Sequence, residues 1–175
     1  MNPSIQPVEI LSAERISERL TTLALEINQF YRGREILLVS ILDGAIIFTA
    51  DLLRLLTIPT QLDCLRISSY GSSTSPESAP QITGSLKSDL RGKHVLLVDD
   101  ILDTGNTLQR ASDEIKFHNP DSLKTCVFLD KAERRINHFE ADWVGFSIPN
   151  EFVVGYGLDY DGRFRELPYL GKLPS

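Results

Sequence analysis

Apolar residues along this chain recur with two different periods. Ile16, Leu20, Leu23 and Ile27 are spaced by four, three and four positions, one stripe of an amphipathic helix over 12–30 that Ser12 can cap. EILLVSI, residues 35–41, is a nearly continuous apolar run of strand length, as expected for a strand buried on both faces. Leu42-Asp43-Gly44 reads as a tight turn and AIIFTADLLRLL, 45–56, as a mostly buried helix. A strand is predicted over 60–68, with Leu62, Cys64 and Ile67 as its apolar positions, and another from Lys93 to Asp100. A helix from Thr104 to about His118, the turn Asn119-Pro120-Asp121, and strands over 123–129, 143–148 and 152–158 complete the pattern. Strands alternating with helices predict an α/β fold, a mainly parallel doubly wound sheet flanked by helices.

Between two of these strands lies SSYGSSTSPESAPQITGS, residues 68–85, rich in Ser, Pro, Gly and Thr with no apolar period. A loop this long inside a compact domain is a functional lid or a disordered segment. No internal repeat or linker interrupts the chain, so residues 1–175 are expected to form a single domain. The N-terminal helix and the C-terminal tail, RFRELPYLGKLPS, are expected to pack on the sheet or form a small cap.

Composition narrows the function classes. The chain has 175 residues, 42% hydrophobic and 24% charged, ordinary for a soluble globular domain with a real core. A net charge of −6 and a pI of about 5.1 argue against broad nucleic-acid binding. No apolar run approaches the ~20 residues that span a bilayer, and MNPSIQPVEI lacks the pattern of a secretory signal. Cys64 and Cys126 sit in apolar, strand-like runs and are expected to be buried free thiols of a reducing, cytoplasmic protein. His94, His118 and His138 have no metal-ligand spacing. Phosphate-loop, zinc-protease and nucleophile-elbow motifs are absent, and Gly155-Tyr156-Gly157 lacks the third glycine of a dinucleotide fingerprint.

The strongest chemical signal is VLLVDDILDTGNTL, residues 95–108. A buried strand runs into the adjacent acids Asp99 and Asp100, then Asp103, then the small turn Thr104-Gly105-Asn106-Thr107 that opens a helix. Ligands of open α/β sheets bind at the carboxyl ends of the strands. A helix N-terminus suits a phosphate, and carboxylates suit sugar hydroxyls and a hard cation such as Mg²⁺. A site offering all three is shaped for a phosphorylated sugar. Helix capping accounts for Asp103 or Thr104 alone, but not for two adjacent acids at a strand end, whose repulsion a ligand, cation or water must offset.

This segment resembles the ribosyl-diphosphate signature of type I phosphoribosyltransferases. Together with SIPNEFVVGYGLDYDGRFRELPY, residues 147–169, it makes nearly the whole chain resemble the hypoxanthine(-guanine) phosphoribosyltransferases. The resemblance implies that fold, with a small hood and a mobile loop, and transfer from 5-phosphoribosyl 1-diphosphate to hypoxanthine and guanine with Mg²⁺ as cofactor. It implies that Asp99 and Asp100 bind the ribose hydroxyls and help place Mg²⁺, and that Asp103 is the general base at the purine N7. Asp103, Thr104, Gly105, Asn106 and Thr107 would wrap the 5′-phosphate. Lys131 would donate to the 6-oxo group, Phe152 would stack on the base, and Val153 would offer backbone groups to its edge.

By the same resemblance Asp159 would lie beside the base and complete the Mg²⁺ shell, and Arg165 would contact pyrophosphate. Ser69 and Tyr70 would belong to a lid. Relatives often carry a basic residue in the Leu-x-Gly turn, where this chain has Asp43. Asp43 and Gly44 would bind pyrophosphate through their backbone, with Leu42–Asp43 a candidate cis peptide. A homodimer or homotetramer is implied by analogy, with no nucleic-acid or membrane partner. One alternative is a regulatory RNA-binding relative with the same ribosyl-diphosphate motif, and the net charge of −6 and the FVVGYGLDY block stand against it; another is a phosphoribosyltransferase for xanthine or adenine, which base competition separates.

Overall fold

The computed structural model describes residues 6–68 and 80–174. Ser69 and Tyr70, and the body of the expected lid, lie outside them. The elements run β1 (Val8–Leu11), α1 (Ala13–Phe30), β2 (Ile36–Leu42), α2 (Ile46–Leu55), β3 (Thr60–Ser68), β4 (Gln81–Ile82), β5 (His94–Leu102), α3 (Asn106–Phe117), β6 (Ser122–Asp130), β7 (Trp143–Ser147), β8 (Val153–Val154) and β9 (Leu170–Lys172). A six-stranded sheet has the order β4-β3-β2-β5-β6-β7. Strands β3 to β7 in that order pair in parallel, and only β4 is antiparallel.

The unbroken apolar runs become the central strands because both sheet faces are covered. In β5, Leu96 and Val98 enter one core with Ile16, Leu20, Leu23 and Ile27 of α1 and Phe48 and Leu52 of α2. Val95 and Leu97 enter the other, with Leu108, Ala111 and Ile115 of α3. Ser12 caps α1 as expected, its Oγ accepting from the Arg15 N–H at 3.4 Å. Arg19 of α1 donates to the carbonyls of Val144 (2.7 Å) and Gly145 (3.0 Å) on edge strand β7, occupying backbone acceptors that an edge leaves open.

Four expectations need correcting. Cys64 is exposed, not buried. In β3 it is Asp63, Leu65 and Ile67 that turn inward, while Leu62 and Cys64 face out; α2 packs chiefly against β2 and β5. Helix α2 is amphipathic rather than mostly buried: Phe48, Thr49 and Leu52 are buried, whereas Ile46, Ile47 and Leu55 reach solvent. The strand expected over 152–158 stops at Val154, since Gly155 and Leu158 bond to each other in a tight turn. The C-terminal tail does form a cap, and it does so as a strand: β9 pairs antiparallel with β1 and β8 in a three-stranded hood.

Asp63 anchors the segment that returns from the long connection after β3. Its carboxylate is buried and accepts from the N–H groups of Cys64, Lys87 and Ser88, each at 2.8 Å. Burial alone would raise its pKa, but the N–H donors of Ser88, Cys64 and Lys87 outweigh it and leave the group below its ordinary value. A depressed folded pKa gives stability that is present above the unfolded carboxylate value of about 3.9 and lost as pH falls through the folded value. Asp63→Ala is expected to cost about 1.5–3 kcal/mol at neutral pH in urea unfolding, with the gap to wild type narrowing in acid. Equal midpoints at neutral pH would remove the anchor role.

Candidate active site

The site forms where β2, β5 and β6 end. Asp99 is buried and Asp100 half-buried. Each carboxylate turns back on the backbone: Asp99 accepts from the Asp100 N–H at 2.9 Å and Asp100 from the Ile101 N–H at 2.8 Å. Burial pushes the Asp99 carboxyl well above the carboxylate range, with the charge of Asp100 adding to it. Burial also raises Asp100, against hydrogen bonds from Asp99 and Ile101 that favour its charged form. Adjacent carboxyls this close make ionisation of both costly.

After β5 the chain enters the loop that opens α3. Gly105 has φ +89, and a Cβ there would lie 2.1 Å from Asn137 Oδ1. Only glycine meets both conditions. The helix begins at Asn106 rather than Thr104, with Thr104 and Gly105 forming the turn before it. The Asn106 N–H donates to Thr104 Oγ1 at 3.4 Å. A hollow of about 40 Å³ is lined by Asp103, Thr104, Gly105, Thr107 and their neighbours, the shape of an anion nest at a helix N-terminus. Arg134 Nε stands 2.9 Å from Asp103 Oδ1. That contact lacks hydrogen-bond alignment, and Oδ1 is a buried oxygen that accepts no hydrogen bond among the described residues.

Facing the acids is the Leu42–Gly44 turn. The Leu42–Asp43 peptide is cis, as expected. A Cβ on Gly44 would lie 1.7 Å from Asp100 Oδ2, so the turn can approach the acid pair only without a side chain. The Asp43 carboxylate faces Arg66 on β3, accepting from its Nη2 at 2.7 Å and Nη1 at 3.3 Å. The charge at this departure from the family pattern is therefore paired. Asp43, Gly44, Asp99, Asp100, Asp103, Thr104, Asn106, Thr107, Arg134 and Asp159 all line one cleft of about 580 Å³. Asp159 Oδ1 pairs with Arg165 Nη2 at 2.8 Å, and Oδ2 accepts from the Gly162 N–H at 2.8 Å. Arg165 also donates to the Gly157 carbonyl, but it lines a neighbouring groove rather than this cleft.

Lys131, Phe152 and Val153 stand outside the cleft's lining. Lys131 is buried, and its Nζ donates to the Glu151 carbonyl at 2.7 Å, leaving ammonium protons for a further acceptor. Burial lowers its pKa against the pull of the Asp103 charge. Phe152 is exposed, with its ring edge-on to Tyr160 at 5.8 Å. Val153 is buried in β8, paired with Lys172, and Val154 is core, as expected.

Two cleft features escaped the sequence reading: Arg134 at Asp103, and Arg66 at Asp43. The consecutive arginines 134–135 in an acidic chain were the available signal for the first. A cation in β3 gives no local signal for the second. Among the described residues no group of three or more His, Cys, Asp or Glu is placed to share a metal ion, so Asp159 does not join Asp99 and Asp100 in one cluster. Two hard carboxylates beside an open cleft still suit Mg²⁺, which binds through one or two carboxylates, with substrate oxygens and water completing its shell. Among the described residues no helix is long and apolar enough to cross a membrane.

Comparison with known proteins agrees with this geometry. Residues 8–161 match the phosphoribosyl transferase domain model. The chain is 44% identical over 170 residues to a hypoxanthine-guanine phosphoribosyltransferase of Mycobacterium avium, covering 94% of this chain and 84% of that protein. It is 42% identical over 169 residues to a hypoxanthine phosphoribosyltransferase of Escherichia coli K12, covering 95% of each. A crystal structure of a hypoxanthine phosphoribosyltransferase from Staphylococcus aureus superposes with a TM-score of 0.91 at 36% identity, over 99% of this chain and 96% of that one. With its acid pair, phosphate-sized nest and glycine turn set around one cleft, this chain belongs to the hypoxanthine(-guanine) phosphoribosyltransferase family.

Proposed function

We propose that this chain makes purine nucleotides by salvage, transferring the 5-phosphoribosyl group of 5-phosphoribosyl 1-diphosphate to hypoxanthine and guanine with release of pyrophosphate. The observation that carries the reading is the single cleft holding Asp99–Asp100, the Asp103–Thr107 loop and the Gly44 turn. In the reaction the bond from C1′ to the diphosphate breaks, the diphosphate leaving with the electron pair. A bond from C1′ to the purine N9 forms, and the purine's N7 proton is lost.

Each residue then has a task that its surroundings support. The N–H groups and hydroxyls of the Asp103–Thr107 loop hold the 5′-phosphate, and Asp99 and Asp100 hold the ribose hydroxyls, so that an oxocarbenium-like sugar is kept in place. Asp103 Oδ1, buried without a hydrogen bond, takes the N7 proton. Lys131, anchored on the Glu151 carbonyl, gives its remaining protons to the 6-oxo group and meets a 6-amino group poorly. Phe152 stacks on the base and Val153 offers backbone groups to its edge. Asp43 and Gly44 contact pyrophosphate through their backbone, and Arg165 adds a cation beside it, near Asp159. Asp99 and Asp100 would hold Mg²⁺, which would supply charge neutralisation for the diphosphate. Ser69 and Tyr70 belong in this reading to a lid that excludes water. The apolar residues that α2 leaves in solvent, Ile46, Ile47 and Leu55, support a homodimer or homotetramer. The unpaired thiols of Cys64 and Cys126 support a reducing, cytoplasmic setting.

The direct test supplies 5-phosphoribosyl 1-diphosphate, Mg²⁺ and an equal mixture of hypoxanthine, guanine, xanthine, adenine and uracil, and resolves the nucleotides formed. IMP, with GMP, is expected, and UMP alone or no nucleotide would overturn the proposal. Chelation by EDTA should abolish turnover and excess Mg²⁺ restore it; turnover that survives chelation removes the cation from the reading. Asp103→Asn should lower kcat by about 10²-fold or more with 5-phosphoribosyl 1-diphosphate binding within a few-fold of wild type. Full activity in that variant takes the base role away from Asp103. Lys131→Ala should shrink the preference for hypoxanthine over adenine by about tenfold or more, read from competing kcat/KM values. An unchanged preference would place the 6-oxo donor elsewhere.

A further inference from the structure

Arg135 is not among the residues that line the cleft, and its side chain is 13% exposed. Its Nε donates to the Asp103 carbonyl at 3.0 Å and its Nη2 to the Leu102 carbonyl at 3.3 Å. Nη2 also pairs with the Asp130 carboxylate at the end of β6, and Nη1 donates to the Phe139 carbonyl. The segment around it grips the same loop. The Lys131 N–H donates to the Leu102 carbonyl at 3.0 Å and the Ile136 N–H to the Thr104 carbonyl at 3.2 Å, while Asn137 packs against Gly105. Three consecutive carbonyls, of Leu102, Asp103 and Thr104, are therefore all turned toward the 131–137 segment. Across a planar trans peptide, the N–H of the next residue points opposite to the carbonyl. The N–H groups of Asp103, Thr104 and Gly105 are thereby aimed away from Arg135, and these three residues line the hollow of about 40 Å³.

We infer that Arg135 is a positioning residue for transfer: by holding the Leu102 and Asp103 carbonyls from behind, it aims the loop's N–H groups at the 5′-phosphate. The inference rests on the reading of that loop as the phosphate site. A guanidinium is required because its planar fork reaches two adjacent carbonyls and a carboxylate at once, and a lysine ammonium cannot span them in one geometry. The same grip joins the purine side to the phosphate side, since Lys131 and Arg135 bond to one carbonyl, that of Leu102.

The test compares the full chain with Arg135→Lys and Arg135→Ala. It measures KM for 5-phosphoribosyl 1-diphosphate, KM for hypoxanthine, kcat, the dissociation constant of IMP by calorimetry, and Tm. Arg135→Lys keeps the charge beside Asp130 and is expected to keep Tm near wild type. Its KM for 5-phosphoribosyl 1-diphosphate and its IMP dissociation constant should rise tenfold or more, with KM for hypoxanthine within about twofold. Millimolar guanidinium is expected to restore part of the IMP affinity of Arg135→Ala. Wild-type affinity for both phosphate-bearing ligands in Arg135→Lys would overturn the inference. A parallel loss for all ligands together with a fall in Tm would do the same, as would failure of Arg135→Lys to fold, since either makes the role purely structural. A wild-type chain that binds neither IMP nor 5-phosphoribosyl 1-diphosphate would instead overturn the phosphate-loop reading, and the Arg135 inference with it.

Discussion

Burying two adjacent carboxylates at the end of the central strand is the constraint around which the rest of this protein is arranged. Asp99 and Asp100 leave β5 where it is still packed on both faces, and burial pushes both toward the protonated form. Such a pair is costly to bury and would be relieved by a cation or by hydroxyl donors. The neighbouring backbone takes up part of the strain of charge, through the N–H groups of Asp100 and Ile101. The opposing turn comes close because Gly44 has no side chain to strike Asp100. A site that is unfavourable when empty and favourable when filled is one way to spend folding stability on substrate binding.

The two cores make that arrangement possible. Because β2 and β5 are covered on both faces, their carboxyl ends are held rigidly, and the loops that follow inherit the register of the sheet. Leu102 marks the handover from strand to loop: its carbonyl accepts from the Lys131 N–H and from Arg135. The loop is thus fastened to the segment after the next strand instead of standing free. Rigid support behind a binding loop keeps its N–H groups aimed before the ligand arrives, which reduces the cost of ordering them on binding.

The Asp43 turn illustrates how a local departure is absorbed. An acid next to a diphosphate would repel it, yet its carboxylate is paired with Arg66, its register neighbour across the β2–β3 pair being Leu42. The pair is half-exposed, so its energetic weight is small in water. Its consequence is orientation: the acid is directed toward β3, and the turn's backbone remains available to a ligand.

Much of the architecture was legible in the chain because periodicity is a local property. A stripe such as Ile16, Leu20, Leu23 and Ile27, or a largely apolar run such as EILLVSI, states its own secondary structure. The acid pair, the small turn and the following helix were legible for the same reason: strand end, turn and helix start are consecutive in sequence. What neighbours cover was not legible. Cys64 and Leu62 read as core and lie exposed, since α2 packs chiefly on β2 and β5. β1 and β9 are short and cannot be strands alone; each exists through pairing across more than 150 residues of chain. Arg66, Arg134 and Arg135 look like surface cations in the sequence, and each acquires its role from an acid or carbonyl brought to it by the sheet. The sequence by itself determined the central helices and strands and the residue chemistry of the loop over 103–107, since both depend on residues a few positions apart. Only the tertiary structure decided which faces are covered, which strands form the hood and which cations serve the site, because those depend on groups that meet only after the sheet has assembled.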